Sequence, residues 1–165
     1  KVNGLCSVTL KKYGSEVMKT WYLKPKSDLK YDDKALDING LSLDYLEEHG
    51  VTEDKFIVEM QYFLYQNFDK KPMPLGQNLH FDLKFLENLY ERHNMNLYQL
   101  MDYHYLDTMI LSGSLMMAGK IDRQSVGLGN MHEYLFNESI ENQHTSEADV
   151  VATEKVFKKL MEYVL

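Results

Sequence analysis

The residues able to do chemistry gather in two short stretches, Asn78-Leu79-His80-Phe81-Asp82 and His144-Thr145-Ser146-Glu147-Ala148-Asp149. From Asp149 onward, Thr153, Val156, Phe157, Leu160 and Val164 recur at the three- and four-residue steps of one helix face. The aspartate therefore opens a stripe that reads as buried. A carboxylate turned toward a core is costly unless it is paired, protonated or bound to a metal. His144 lies one turn upstream, and its ordinary pKa of about 6.5 suits proton transfer at neutral pH. Divalent Mg²⁺ or Mn²⁺ prefers oxygen ligands and is commonly held by one or two carboxylates plus substrate oxygens. The same stretch also reads as a helix opened by Thr145 or Ser146 as N-cap, with acids suited to the positive end of its dipole.

Asp82 invites the same pair of readings, a metal-binding carboxylate or a first-turn acid. Asn78 carries two donors and an acceptor, which suit a turn. Asn39-Gly40 reads as a helix stop. Asp107-Thr108 is expected to open a helix rather than bind metal. His49, His80, His93, His104 and His132 have no spacing that compels metal binding, and Cys6 reads as a small hydrophobe in a core strand.

The elements that must position these groups follow from periodicity and breakers. Leu5 to Leu10 and Val17 to Leu23 are β-prone and joined by Lys11-Lys12-Tyr13-Gly14-Ser15, which predicts an antiparallel hairpin ended by Pro25. A charged loop, a short helix ending at Asn39-Gly40 and a second short helix up to Gly50 follow. Thr52 caps a longer helix whose apolar face is Phe56, Ile57, Met60, Phe63 and Leu64. Leu75 to Leu79 reads as a buried strand leading into a helix from Phe81 to about His93, and Tyr103 to Leu106 as another strand. Helices are expected from Asp107 to Ala118 and from Val126 to Phe136, their methionines serving as core filler. Mixed strands and helices of this order predict an α/β domain of three layers, with a mixed central sheet flanked by helices.

At 165 residues the chain fits one domain with a sizeable core. A single cysteine excludes an internal disulfide, which suits a reducing, cytoplasmic compartment. No apolar run reaches the length of a membrane span. A net charge of −7, with only Arg92 and Arg123 as arginines, argues against a broad electrostatic grip on nucleic acid but leaves room for a small, metal-bridged contact.

Taken in order, Gly76-Gln77-Asn78-Leu79-His80-Phe81-Asp82-Leu83-Lys84-Phe85-Leu86, then Leu106-Asp107-Thr108, then Ser125-Val126-Gly127-Leu128, then His144 with Asp149, resemble the DnaQ-like 3′–5′ exonucleases of the DEDDh type. The likeness spans nearly the whole chain, including Tyr22-Leu23-Lys24-Pro25 and Leu36-Asp37-Ile38-Asn39-Gly40-Leu41. It implies an RNase H-like fold over residues 1–165 and removal of nucleoside 5′-monophosphates from single-stranded or frayed 3′ ends of DNA or RNA. By the same resemblance two Mg²⁺ or Mn²⁺ ions are expected on four acids, two of them Asp82 and Asp149. His144 would be the general base, Asn78 and Asn39 would lie against substrate, and a polymerase is a candidate partner in proofreading or repair. One departure stands out, since the family's opening Asp-x-Glu occurs nowhere in the chain. The strand carrying it is expected immediately upstream of Lys1. Without it the alternative is a catalytically inactive module of the same fold that binds nucleic acid or protein.

Overall fold

The structure, a computed structural model, describes residues 3–122 and 125–164. The expected strand upstream of Lys1 lies outside them. The hairpin forms as β1 (Ser7–Lys11) and β2 (Met18–Tyr22), antiparallel with Ser7 opposite Tyr22 and Lys11 opposite Met18. Its strands start later than the β-prone runs, and Cys6 lies just outside β1, half-buried rather than in a core strand. Trp21, 3% exposed, fixes the hairpin to the longest early helix by standing edge-on to Phe56 and Phe63, at 5.5 and 5.8 Å between ring centres. Its indole N–H donates to Glu59 Oε2 at 2.9 Å, so the buried ring leaves no polar atom unsatisfied.

Helices α1 (Asp33–Ile38), α2 (Leu43–His49) and α3 (Glu53–Asn67) begin at Asp32, Ser42 and Thr52, whose side chains accept from backbone N–H groups of the first turn. Gly40 follows α1 with φ +65°, a left-handed step that costs glycine little. All five apolar residues expected on the inner face of α3 are buried.

Next come β3 (Leu75–Gly76), α4 (Leu79–Arg92), a 3₁₀ turn (Leu97–Gln99), β4 (Leu106–Asp107) and α5 (Thr108–Met117). β3 and β4 pair in parallel, Leu75 with Leu106 and Gly76 with Asp107, with α4 between them in the chain. Both strands are shorter than their apolar runs suggest, and α4 starts at Leu79 instead of Phe81. A Cβ at Gly76 would sit 2.7 Å from Leu79 Cδ1, so glycine lets the chain turn tightly from strand to helix. Helices α6 (Leu128–Phe136) and α7 (Ser146–Met161) complete the chain. Of the stripe read from Asp149, Thr153, Val156 and Leu160 are buried, whereas Val164 lies beyond α7 and is exposed.

One core joins the hairpin to α3 and α4, and a second joins α5, α6 and α7 through Leu115, Met131, Val156 and Leu160. The single mixed sheet expected from the sequence is, among the described residues, two two-stranded pieces, β1 with β2 and β3 with β4. α7 packs against both β1 and β3, and so spans them. Leu23 N–H donates to Cys6 C=O and Lys12 N–H to Val17 C=O, at 2.9 and 2.8 Å. The alternation of an antiparallel ladder then turns the backbone groups of Ser7, Thr9 and Lys11 toward the edge away from β2.

Candidate active site

Asp82 sits in the first turn of α4 and Asp149 in the first turn of α7. Each helix start offers N–H groups that favour a carboxylate nearby. Asp149 uses one from just outside its helix, since the backbone N–H of His144 donates to its Oδ1 at 3.2 Å. The hydrogen-bond partner of the half-buried acid is thus the main chain of His144. Loss of hydration still pushes the Asp149 carboxyl above its ordinary range, against the lowering pull of that hydrogen bond and of His144.

Asp82 is perturbed more, lifted from 3.8 to about 6. Crowding that strips water from its carboxyl is the largest cause, although the residue keeps a route to solvent. Its own backbone N–H holds the value down, while the negative charges of Asp107 and Asp149 raise it. The charge of Asp149 thus reaches Asp82 from far along the chain, although lost hydration outweighs it.

Asp107 is the acid whose larger role the sequence hides. It caps α5 through Met109 N–H at 2.8 Å, as expected, and also accepts from Asn78 N–H at 3.0 Å and Leu79 N–H at 2.8 Å. One buried carboxylate thereby ties the end of β4 to the start of α4 and aims the turn carrying Asp82. Asn78, exposed in that turn, adopts the left-handed conformation (φ 55°, ψ 40°), and its side chain does not cap α4. Gln77 was not singled out by sequence; its amide donates to Val126 C=O at 2.7 Å and accepts from the Thr108 hydroxyl, pinning the same turn from below.

His144 is exposed and also has positive φ, 76°, in a region sparsely occupied by residues other than glycine. Thr145 follows as the N-cap of α7, accepting from Ala148 N–H at 3.3 Å. Two fastenings hold α7 on the hairpin. Near its start, Thr9 Oγ1 donates to Ser146 Oγ at 2.8 Å. Two turns on, Glu154, its side chain 11% exposed, accepts from Lys11 Nζ and Lys158 Nζ, each at 2.5 Å, and from Gly14 N–H at 2.8 Å. Asp149 lies between the two. Asn39, by contrast, is the exposed C-cap of α1, and no hydrogen bond or ion pair links it to Asp82, Asp149 or His144.

Asp82 and Asp149 offer carboxylate oxygens, the donor type that a hard divalent cation takes. In number the set is partial, since no group of three or more His, Cys, Asp or Glu side chains suited to a metal forms among the described residues.

No family model matches the chain, and no curated protein sequence does. Solved structures do. Exonuclease I superposes with a TM-score of 0.72 at 21% identity, over 90% of this chain and 33% of that one. The zinc-bound form of an E. coli exonuclease I complex with single-stranded DNA gives a TM-score of 0.68 at 20% identity, over 90% of this chain and 33% of that one. The nuclease domain of 3′hExo, a DEDDh family member bound to rAMP, gives 0.71 at 14% identity, over 89% of this chain and 72% of that domain. The fold is that shared by exonuclease I and the nuclease domain of 3′hExo. The particular structures it resembles are E. coli exonuclease I, of whose chain it spans about a third, and the 3′hExo nuclease domain. No helix among the described residues is long and apolar enough to cross a membrane.

Proposed function

We propose that this domain serves a metal-dependent 3′–5′ exonuclease, which hydrolyses terminal phosphodiester bonds of DNA or RNA and releases nucleoside 5′-monophosphates. The observation that carries the reading is the pair of helix-start carboxylates, Asp82 and Asp149, both raised by lost hydration, the charge of Asp149 adding to the rise at Asp82, with His144 exposed just ahead of α7. Two divalent ions, Mg²⁺ or Mn²⁺, held in part by Asp82 and Asp149, would stabilise charge on the reacting phosphate and acidify the attacking water. His144 takes the proton of that water through its imidazole. Asn78, whose amide is not spent on capping α4, contacts the terminal nucleotide, and Asn39 lies further along the substrate. Contact through a few metal-bridged oxygens at a single-stranded or frayed 3′ end suits a chain of net charge −7. Proofreading or repair beside a polymerase would use the same reaction.

The remaining two carboxylates are proposed to come from a strand bearing Asp-x-Glu. The open edge of β1 and the separate β3–β4 pair, both against α7, support a place for it between them. In the protein carrying that strand, Mg²⁺ or Mn²⁺ should release mononucleotides from a single-stranded oligonucleotide, and His144→Ala should abolish the release. Full activity in the variant would refute the assigned base. Residues 1–165 alone should turn over little or nothing, and robust hydrolysis by them would overturn the four-acid site.

The partial donor set favours a second reading, a module of the same fold without catalysis. Oligonucleotide binding with no hydrolysis, in a protein whose complete sequence lacks Asp-x-Glu, would select it.

A further inference from the structure

We propose that Gln143 is a positioning residue for His144, its carboxamide laid against Gly129 of α6 and fixing the turn from which the imidazole projects. The inference rests on His144 being the base assigned above. The connection between α6 and α7, residues 137–145, is exposed over most of its length. Asn137, Asn142 and His144 within it hold left-handed backbone angles, φ 56°, 53° and 76°. Such angles persist where the surroundings hold them.

Three fastenings supply that hold. At the α6 end the buried His132 donates from Nδ1 to Glu138 C=O at 3.0 Å. At the α7 end Asn142 C=O accepts from the backbone N–H and the hydroxyl of Thr145, at 3.1 and 3.0 Å. Between them Gln143 reaches back to α6. A Cβ at Gly129 would stand 3.1 Å from Gln143 Cδ and 3.2 Å from its Oε1, and closer still to Nε2, so the amide lies against a bare Cα. Gly129 sits within α6 in helical conformation, where alanine is the better residue. Room for Gln143 is what glycine provides there. The peptide joining Gln143 to His144 is therefore held from both sides, by the Gln143 side chain on α6 and by its own N–H, which donates to Asp149 Oδ1 at 3.2 Å. The orientation of that peptide sets where the His144 ring stands relative to Asp149.

The test uses the protein carrying the Asp-x-Glu strand, with Mg²⁺ or Mn²⁺ and a single-stranded oligonucleotide. Gln143 is exposed and its side chain can swing aside from an added methyl, so Gln143→Ala and Gly129→Ala should both fold, and the alanine in α6 should hold or raise Tm. Each should lower kcat by about fivefold or more and leave KM within about twofold, because the base is misplaced while the substrate contacts remain. The double variant should be no slower than Gln143→Ala, since both changes break one contact. Proton–nitrogen NMR spectra without substrate should show the backbone amide and ring of His144 displaced alike in all three variants. His144 resonances that neither single variant moves would overturn the proposal. Where His144→Ala abolishes turnover, so would an unchanged kcat in both single variants, losses that multiply in the double variant, or a Tm that falls in step with kcat. Full turnover by His144→Ala would instead remove the assigned base, and the His144 spectra alone would then decide whether Gln143 sets its position.

Discussion

Replacing Glu154 with glutamine tests how α7 is held, and with it the placement of Asp149. Three donors converge on this largely enclosed carboxylate, from Lys11, Lys158 and the Gly14 backbone. Burial alone would raise its pKa, but these partners outweigh burial and hold it at about 2 instead of 4.5. At about 1.4 kcal/mol per pH unit the difference corresponds to about 3 kcal/mol of stability. Glutamine keeps one acceptor, for Gly14 or one lysine, and leaves Lys11 enclosed without its counter-charge, so the expected loss at pH 7 is about 2–3 kcal/mol. For a domain of this size that lowers Tm by roughly 5–10 °C. The sign with pH is fixed by the direction of the shift. A depressed carboxylate contributes fully above its unfolded value, and the contribution is lost as pH falls through the folded one. The gap between native and Glu154→Gln proteins in urea unfolding should therefore be constant from pH 7 to about 4.5 and shrink from there toward about 2. A gap under about 0.5 kcal/mol at pH 7, or one that does not narrow in acid, would refute the reasoning.

Carboxyl-detected NMR should find Asp82 titrating at about 6. Because that value is raised, its contribution to stability is present below the ordinary 3.8 and is lost as pH rises through about 6. The loss should be on the order of 1 kcal/mol after allowing for the residue's access to solvent. Asp149→Asn removes a neighbouring negative charge and should move the Asp82 titration downward; an unmoved titration would separate the two acids. Asp107→Asn places an NH₂ group where three backbone N–H groups now point at a carboxylate, and should cost about 2–3 kcal/mol by chemical denaturation. Stability within about 0.5 kcal/mol of the native protein would deny Asp107 its role as a tie between β4 and α4.

What can be read from the chain alone is what interactions within a few residues decide. The caps at Thr52 and Thr145, the stop at Asn39-Gly40 and the inner face of α3 depend on hydrogen bonds and side-chain spacing within one or two turns, and each is found where the sequence puts it. The order of elements, and with it the resemblance to the exonuclease fold, follows from those local signals. Strand lengths and the joining of the sheet do not, because a strand exists only where a distant segment pairs with it. Leu75–Gly76 and Leu106–Asp107 are accordingly shorter than their apolar runs. At the site, sequence singled out Asp82, Asp149 and His144, but only the tertiary structure brings the charge of Asp149 to bear on Asp82, fastens Glu154 to Lys11, and makes Asp107 serve two elements at once. Those outcomes depend on through-space charge and the exclusion of water. Both are set by distances between residues remote in the chain, on which local periodicity is silent.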